Sequence, residues 1–273
     1  MMDRDTYFDL VINSTHEPSK DSTKWAPTSK LCMLFIEFRP MDIIKYNLWN
    51  IANVYGGSDA SLVIVHSGEN KDMIMETTKD WTGVKYIQAF ETNKDVNAYS
   101  ELLVSYDFWD KFSDYEYVLT NQWDSYIFTK IPEEFFKYDF VGAPTTHYYV
   151  IFNNQVMNIC SLNCRCERCL DHRHSLNEDV FMDHPNKIFM FNGGFSLRRV
   201  DTMKEIASKK PWSGEPEDVY FCTTNLHKPM RHVARFFSVQ DYCPGGALPV
   251  GCHQIWRGQD EEYIRTLFKK YTS

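Results

Sequence analysis

The chain has 273 residues, of which 43% are hydrophobic and 15% aromatic, enough apolar side chain to fill one large α/β domain. Its formal net charge of -8 and its pI of about 5.6 exclude the dense positive charge with which proteins wrap nucleic acids. The sequence has no long uninterrupted apolar run, and its start lacks the basic-then-apolar order of a secretory signal. We therefore expect a soluble, cytoplasmic protein with no transmembrane segment and no nucleic-acid partner.

The first 29 residues differ in composition from the rest. Residues 1–29 are polar, contain Pro18 and Pro27, and show no hydrophobic period. This pattern predicts an irregular N-terminal arm that lies on the domain through Trp25. Residues 30–273 are predicted to form a single domain.

Apolar runs alternate with helical patterns along the first half of this domain. The runs cover residues 31–36, 62–65, 84–87 and 117–120, and helical spacing of apolar residues occurs at about 43–51, 70–79 and 96–112. Continuous rather than alternating apolarity is typical of parallel strands that are covered on both faces. The order predicts an α/β fold with a mostly parallel central sheet flanked by helices.

Polar residues follow three of these strands, at the edge of the sheet where α/β proteins bind ligands. Glu37 and Arg39 end the first strand, His66 ends the second, and Asp124 follows the fourth. Asp124 is the first candidate for a metal ligand, and the alternative is an Asx turn in which it caps its own backbone. A structural ion pair is an equal alternative for Glu37 and Arg39. For His66, a structural core histidine is the favoured interpretation.

Residues 145–187 lose periodicity, which predicts an insertion in the domain. Cys160, Cys164, Cys166 and Cys169 supply the four thiols of a structural zinc site, although only the last two have the C-x2-C spacing. Disulfides and unliganded thiols are the alternatives, and all three stay open. A closed site of four thiolates would leave no coordination position for catalysis.

An apolar run at residues 188–191 leads into Asn192, Gly193 and Gly194. Asn-Gly is typical of a hairpin turn. The functional alternative is that the two glycines let a sugar-sized ligand approach the backbone while Asn192 binds a hydroxyl group.

Two further candidates lie near the C-terminus. Glu217 and Asp218 stand at the predicted start of a helix, where acids are stabilised by the helix dipole. The alternative is that one of them is a general base. His253 follows Gly251 and is a candidate second metal ligand or a structural histidine.

Seven segments, taken in order, resemble a poorly characterised family of GT-A-type glycosyltransferases with members in bacteria, fungi and large DNA viruses. The segments are residues 37–40, 65–67, 122–125, 138–144, 192–198, 217–221 and 251–256. The resemblance spans about residues 31–257. Its most specific part is Asn-Gly-Gly-Phe-Ser-Leu-Arg at 192–198 followed by Glu-Asp at 217–218.

The resemblance implies that residues 30–273 form a GT-A-like glycosyltransferase domain. The activity implied is transfer of a sugar from a nucleoside-diphosphate sugar, with a UDP-sugar as the expected donor, to a hydroxyl group of a glycan acceptor. If the chain is viral, the expected location is the host cytoplasm.

The resemblance also implies roles for individual residues. Asp124 matches the last acid of the metal-binding Asp-x-Asp motif and would hold Mn²⁺ or Mg²⁺ on the donor diphosphate, with His253 as a further ligand. Gln122 replaces the first acid of that motif, which leaves a metal-independent variant open. Asp218, with Glu217 beside it, would be the general base of an inverting displacement. The donor-binding set predicted in this way is Glu37, Arg39, His66, Gln122, Asn192, Gly193 and Gly194.

Two other classes of protein stay open. A nucleotidyl- or phosphoryl-transferase could use a similar acid at a strand end, although the sequence has no Gly-x4-Gly-Lys-Ser/Thr phosphate loop. A non-catalytic, zinc-stabilised binding module would depend on the cysteine cluster.

Overall fold

The computed structural model describes residues 2–57, 60–152, 155–159, 187–240 and 248–272, which form an α/β domain around a seven-stranded sheet. In chain order its strands are β1 (Leu31–Ile36), β2 (Ala60–Ser67), β3 (Val84–Phe90), β4 (Tyr117–Asn121), β6 (Phe140–Phe152), β7 (Gln155–Ile159) and β8 (Lys187–Arg199). Their spatial order is β3-β2-β1-β4-β8-β6-β7. The first four are mutually parallel, and β8 runs antiparallel to both β4 and β6. Because β6 thus points the same way as β4, five of these seven strands share one direction and the sheet is mostly parallel, as predicted.

A second sheet of three short strands lies beside the first. It contains β5 (Ser125–Ile127), β9 (Ser238–Val239) and β10 (Gly251–His253), in the order β5-β10-β9. Since β5 follows β4 after three residues and β10 pairs with β5, this small sheet brings residue 253 beside residue 125.

Helices cover both faces of the large sheet. They are α1 (Arg4–Ser14), α2 (Ile43–Tyr55), α3 (Lys71–Thr77), α4 (Val96–Leu103), α5 (Tyr106–Asp110), α6 (Val200–Lys209), α7 (Glu217–Cys222), α8 (Arg231–Ala234) and α9 (Glu261–Thr272), with 3-10 turns at Glu133–Phe135 and Ile255–Arg257. Along β1, Met33 and Phe35 belong to a core with α2, whereas Cys32 and Leu34 belong to a core with α5, α6 and α7. Burial on both faces explains why β1 is apolar at every position.

The prediction of an irregular arm is wrong for residues 4–14, which form α1. Asp3 caps this helix, because its carboxylate accepts a hydrogen bond of 2.8 Å from the backbone N–H of Thr6. Only Tyr7 and Val11 are buried in α1, too few positions for a period to be visible in the sequence. Both pack against α9, and Trp25 is buried against the domain as predicted.

The helical pattern at 96–112 forms two helices rather than one. The chain turns between α4 and α5 because the hydroxyl of Ser105 accepts a hydrogen bond from the N–H of Phe108 and starts a new helix. The prediction that periodicity is lost from residue 145 is also wrong at its beginning, because β6 continues to Phe152 and pairs with β7. Cys160, Cys164, Cys166 and Cys169 lie outside the described residues.

The hairpin turn expected at residues 192–194 does not form. These residues lie inside β8. Gly142 and Ala143 are adjacent in β6, but their partners in β8, Ser196 and Asn192, are not adjacent. The intervening residues of β8 therefore bulge out of the β6 ladder. The side-chain oxygen of Asn192 fixes this bulge by accepting a hydrogen bond of 2.7 Å from the N–H of Gly194.

Candidate functional site

A cleft of about 500 Å³ opens where β1 and β4 end, at the carboxyl edge of the parallel strands. It is lined by ten of the residues singled out in the sequence: Glu37, Arg39, Gln122, Asp124, Asn192, Gly193, Gly194, Glu217, Asp218 and His253. They come from the ends of β1 and β4, the bulge of β8, the first turn of α7 and the end of β10. Residues far apart in the chain therefore share one cavity.

His66 is the predicted site residue in the described chain that does not line this cleft. Its side chain is buried, and its Nδ1 lies 2.8 Å from the carbonyl oxygen of Ser67. His66 is thus a core histidine, the favoured interpretation, and it is not part of the predicted donor-binding set.

Asp124 is buried and held by two side chains. Its Oδ2 accepts a hydrogen bond of 2.6 Å from Nε2 of Gln254, and its Oδ1 lies 3.1 Å from Nε2 of His253. Burial opposes ionisation of Asp124, but the charge of His253 and the hydrogen bonds from neighbouring side chains outweigh it and hold the pKa of this carboxyl below its ordinary value. Asp124 is therefore an anion inside the protein.

The contact between Asp124 and His253 brings together two atoms, Oδ1 and Nε2, that would both be hydrogen-bond acceptors if the ring were neutral. Nδ1 of His253 lies 3.2 Å from Oε1 of Gln240, and an amide oxygen only accepts hydrogen bonds, so Nδ1 carries the hydrogen. A neutral imidazole then presents a lone pair at Nε2. With the ring in this neutral form, neither this atom nor Oδ1 of Asp124 has a hydrogen-bond partner in the described part of the chain, whereas a protonated ring would donate to Oδ1. Two such atoms 3.1 Å apart require a positive charge, which is supplied by a proton on the ring or by a bound cation.

Gln122 adds a third ligand atom at the same place. A methyl group on Gly194 would come within 2.2 Å of Nε2 of His253 and 2.4 Å of Oε1 of Gln122, so both atoms face the small space above this glycine. Carboxylate and amide oxygens suit Mg²⁺ and Mn²⁺, and an imidazole favours Mn²⁺ of the two. No group of three or more His, Cys, Asp or Glu side chains among the described residues could hold a metal ion, and the third ligand atom here belongs to a neutral amide. Asp124, His253 and Gln122 thus fit a divalent cation with one carboxylate instead of two.

Glu217 forms a buried ion pair with Arg198. Both of its carboxylate oxygens accept from Nη2 of Arg198, at 3.0 and 3.1 Å. Arg198 is fully buried, and its Nη2 also donates to the carbonyl oxygen of Gly193. Gly193 has to be glycine here, because a methyl group would lie 2.0 Å from Oε1 of Glu217. The sequence did not identify Arg198 as a site residue, although it ends the segment 192–198 that carries the most specific part of the family resemblance.

Asp218 is the neighbouring acid and remains partly exposed to the cleft. Its Oδ1 accepts a hydrogen bond of 2.8 Å from the N–H of Val219, and the structure gives Oδ2 no such partner among the described residues. Burial, followed by the nearby charge of Glu217, raises the pKa of Asp218 from 3.8 to about 7. A carboxylate with this pKa can take a proton from a substrate near neutral pH.

Glu37 and Arg39 form the ion pair that was one of the two interpretations of these residues. Glu37 is buried, and its carboxylate accepts from Nε and Nη2 of Arg39, both at 2.8 Å. The guanidinium group of Arg39 stays half-exposed and lies 4.9 Å from the ring centre of Trp123. Lys94 and Arg257 also line the cleft. The cleft therefore has positive charge available for an anionic ligand.

Two further cleft residues escaped the sequence analysis. The hydroxyl of Tyr99, on α4, is buried and has no hydrogen-bond partner in the part of the chain described. Its place in a helical stripe of apolar residues gave no signal of a polar role. Gln254 follows His253 and binds Asp124, and only its long-range contact reveals this.

The fold and the cleft define an α/β protein with a polar cavity at the carboxyl edge of its central sheet. Residues 83–253 match the sequence model of a family described as "Protein of unknown function (DUF5672)", and the chain belongs to this family. The match includes Gln122, Asp124, Asp218 and His253 but not the strand end at residue 37. No curated protein matches the chain. Within the described ranges, no helix is long and apolar enough to cross a membrane.

Proposed function

We propose that the protein is a glycosyltransferase with a GT-A-like fold, which moves a sugar from a nucleoside-diphosphate sugar to a hydroxyl group of a glycan acceptor. UDP is the nucleotide we expect. The observation that carries the proposal is that one cleft contains both Asp218, a carboxylate with a pKa of about 7, and the unpaired ligand atoms of Asp124 and His253. Displacement of a nucleoside diphosphate by a hydroxyl group needs these two parts, a base for the acceptor and positive charge at the leaving group.

The leaving-group side would be formed by Asp124, His253 and Gln122. Their Oδ1, Nε2 and Oε1 atoms would hold a divalent cation, Mn²⁺ or Mg²⁺, which when bound neutralises charge on the leaving diphosphate. Lys94 and Arg257 line the same cleft and would add positive charge that does not depend on the cation. An acidic protein can bind an anionic donor in this way, because the charge that matters is local.

Asp218, rather than Glu217, would act as the base. Both oxygens of Glu217 are engaged by Arg198, whereas Oδ2 of Asp218 is not held by the backbone. The acceptor oxygen would attack the anomeric carbon while its proton passes to Asp218. The bond between that carbon and the diphosphate oxygen would break, and attack from the opposite face would invert the configuration.

The test is a thermal-shift screen of nucleoside-diphosphate sugars with and without Mn²⁺, followed by measurement of released nucleoside diphosphate. We expect one donor to stabilise the protein in the presence of Mn²⁺. Asp124→Ala should abolish the Mn²⁺-dependent stabilisation, and Asp218→Asn should keep it but lose turnover. The exposed Asp110 gives a matched control, because Asp110→Asn changes the same group outside the cleft.

Three results would count against the proposal. If no nucleotide sugar stabilises the wild-type protein in either condition, the donor class is wrong. Stabilisation by nucleoside triphosphates alone would favour a nucleotidyl- or phosphoryl-transferase instead. A near-normal rate in Asp218→Asn would remove this residue as the base.

A further inference from the structure

Gln254 has an unusual backbone conformation at the edge of the candidate cation site. Its φ and ψ angles are 46° and 35°, in the left-handed region, and it is the only residue other than glycine with a positive φ in the described part of the chain. Such a conformation is strained for an ordinary L residue. Glycine would adopt it without this strain. The side chain at this position therefore has to provide something that glycine lacks.

Both N–H groups of Gln254 bind the same distant residue. Its backbone N–H donates to the carbonyl oxygen of Asp124 at 2.9 Å, and its side-chain Nε2 donates to Oδ2 of Asp124 at 2.6 Å. A carboxylate can otherwise rotate about its last single bond. With Oδ2 fixed, Oδ1 has to point at Nε2 of His253, 3.1 Å away.

We infer that Gln254 is a positioning residue, which clamps the carboxylate of Asp124 so that its second oxygen is presented to a divalent cation. The inference rests on the cation role proposed above for Asp124 and His253. A neutral amide suits this task, because it orients the carboxylate without neutralising it, whereas a lysine or arginine would compete with the cation for the same charge. The strained turn is the geometry that brings the amide of residue 254 back onto residue 124.

Two substitutions distinguish the effect of the side-chain amide of Gln254 from the effect of its strained backbone turn. Gln254→Met keeps the length of the side chain and removes the hydrogen bond, and Gln254→Gly removes both the hydrogen bond and the backbone strain. Gln88→Met is the matched control, since Gln88 is exposed, lies outside the cleft and donates to Glu91. The probe is Mn²⁺, alone and together with UDP, and its affinity is measured by calorimetry and by the electron paramagnetic resonance signal of free Mn²⁺.

We expect both Gln254 variants to bind Mn²⁺ about 10- to 100-fold more weakly, the usual effect of removing a residue that orients a metal ligand. Gln88→Met should bind as the wild type does. If Gln254→Met does not fold, Gln254→Gly carries the test, because glycine accepts the left-handed turn.

Two outcomes would refute the positioning role of Gln254 without refuting the cation role of Asp124 and His253. One is wild-type affinity in both variants, and the other is wild-type affinity in Gln254→Gly with a loss in Gln254→Met, which would mean that only the turn matters. A wild-type protein that binds no Mn²⁺, with or without UDP, would overturn the proposed cation role and the clamp together.

Discussion

Replacing Asp218 by asparagine should make the protein more stable above neutral pH, although it removes the proposed base. The folded protein raises the pKa of Asp218 from 3.8 to about 7, because the carboxylate is buried and lies near the charge of Glu217. The folded state therefore favours the protonated form. The contribution of Asp218 to the free energy of unfolding therefore falls as the pH rises from about 4 to about 7. An asparagine does not ionise, so the variant does not lose stability in this way.

The size of the effect follows from the same values. One pKa unit is worth about 1.4 kcal/mol, so a rise from 3.8 to about 7 sets an upper limit of about 4 kcal/mol. Asp218 is partly exposed to the cleft, and water there screens the charge of Glu217. We therefore expect Asp218→Asn to raise the free energy of unfolding by about 1–2 kcal/mol at alkaline pH. The hydrogen bond from the N–H of Val219 is kept, because an asparagine oxygen can accept it.

The assay is urea denaturation of the wild type and the variant at about pH 8 and about pH 4. The variant should be the more stable protein at the higher pH, and the difference should shrink at the lower pH. Asp110→Asn is the control, because the pKa of Asp110 is shifted in the opposite direction: the hydrogen bond from Lys204 lowers it. Its substitution should therefore not stabilise the protein at pH 8. Equal stabilities at both pH values, or a destabilised Asp218→Asn at pH 8, would refute the reasoning.

Three other predictions test the remaining parts of the site. The value of kcat/KM should rise with pH and level off above about 7, as a base with the pKa of Asp218 requires, and a flat profile would contradict this role. Glu217→Ala leaves Arg198 buried without its carboxylate, and should lower the free energy of unfolding by about 3–5 kcal/mol in urea; a loss below about 1 kcal/mol would mean that the pair is not structural. Gly194→Ala places a methyl group 2.2 Å from Nε2 of His253 and should weaken Mn²⁺ binding at least about 10-fold in calorimetry, so unchanged affinity would place the cation elsewhere.

The sheet could be predicted because each strand carries its own signal. β1, β2 and β4 are buried at every position, and a continuous apolar run is what two covered faces require. α1 carries no such signal, since it buries few residues and depends on partners at the other end of the chain. The break between α4 and α5 depends on one hydroxyl group of Ser105, which helical periodicity does not register.

The cleft could be predicted in part, for a related reason. The ends of parallel strands meet at one edge, so Glu37, Arg39 and Asp124 were expected together from the strand pattern alone. His66 met the same rule and failed, because its ring lies against the carbonyl oxygen of Ser67 and outside the cleft. Residues from outside the parallel strands, such as His253, were placed by resemblance, and the pairing of β10 with β5 is what brings that histidine to Asp124.

Glu217 and Asp218 illustrate what a motif of two acids leaves undetermined. Their side chains are of one chemical type and begin the same helix, so residue type alone does not separate them, and only the family resemblance favours Asp218. Arg198 distinguishes the two acids, because it occupies both oxygens of Glu217 and leaves Asp218 as the proposed base. The negative charge of Glu217 still acts on its neighbour, where it raises the pKa of Asp218 more than the charge of Arg198 lowers it. In the proposed mechanism Glu217 thus makes Asp218 a better base without reacting itself, and this division of roles depends on an arginine nineteen positions before Glu217 in the chain.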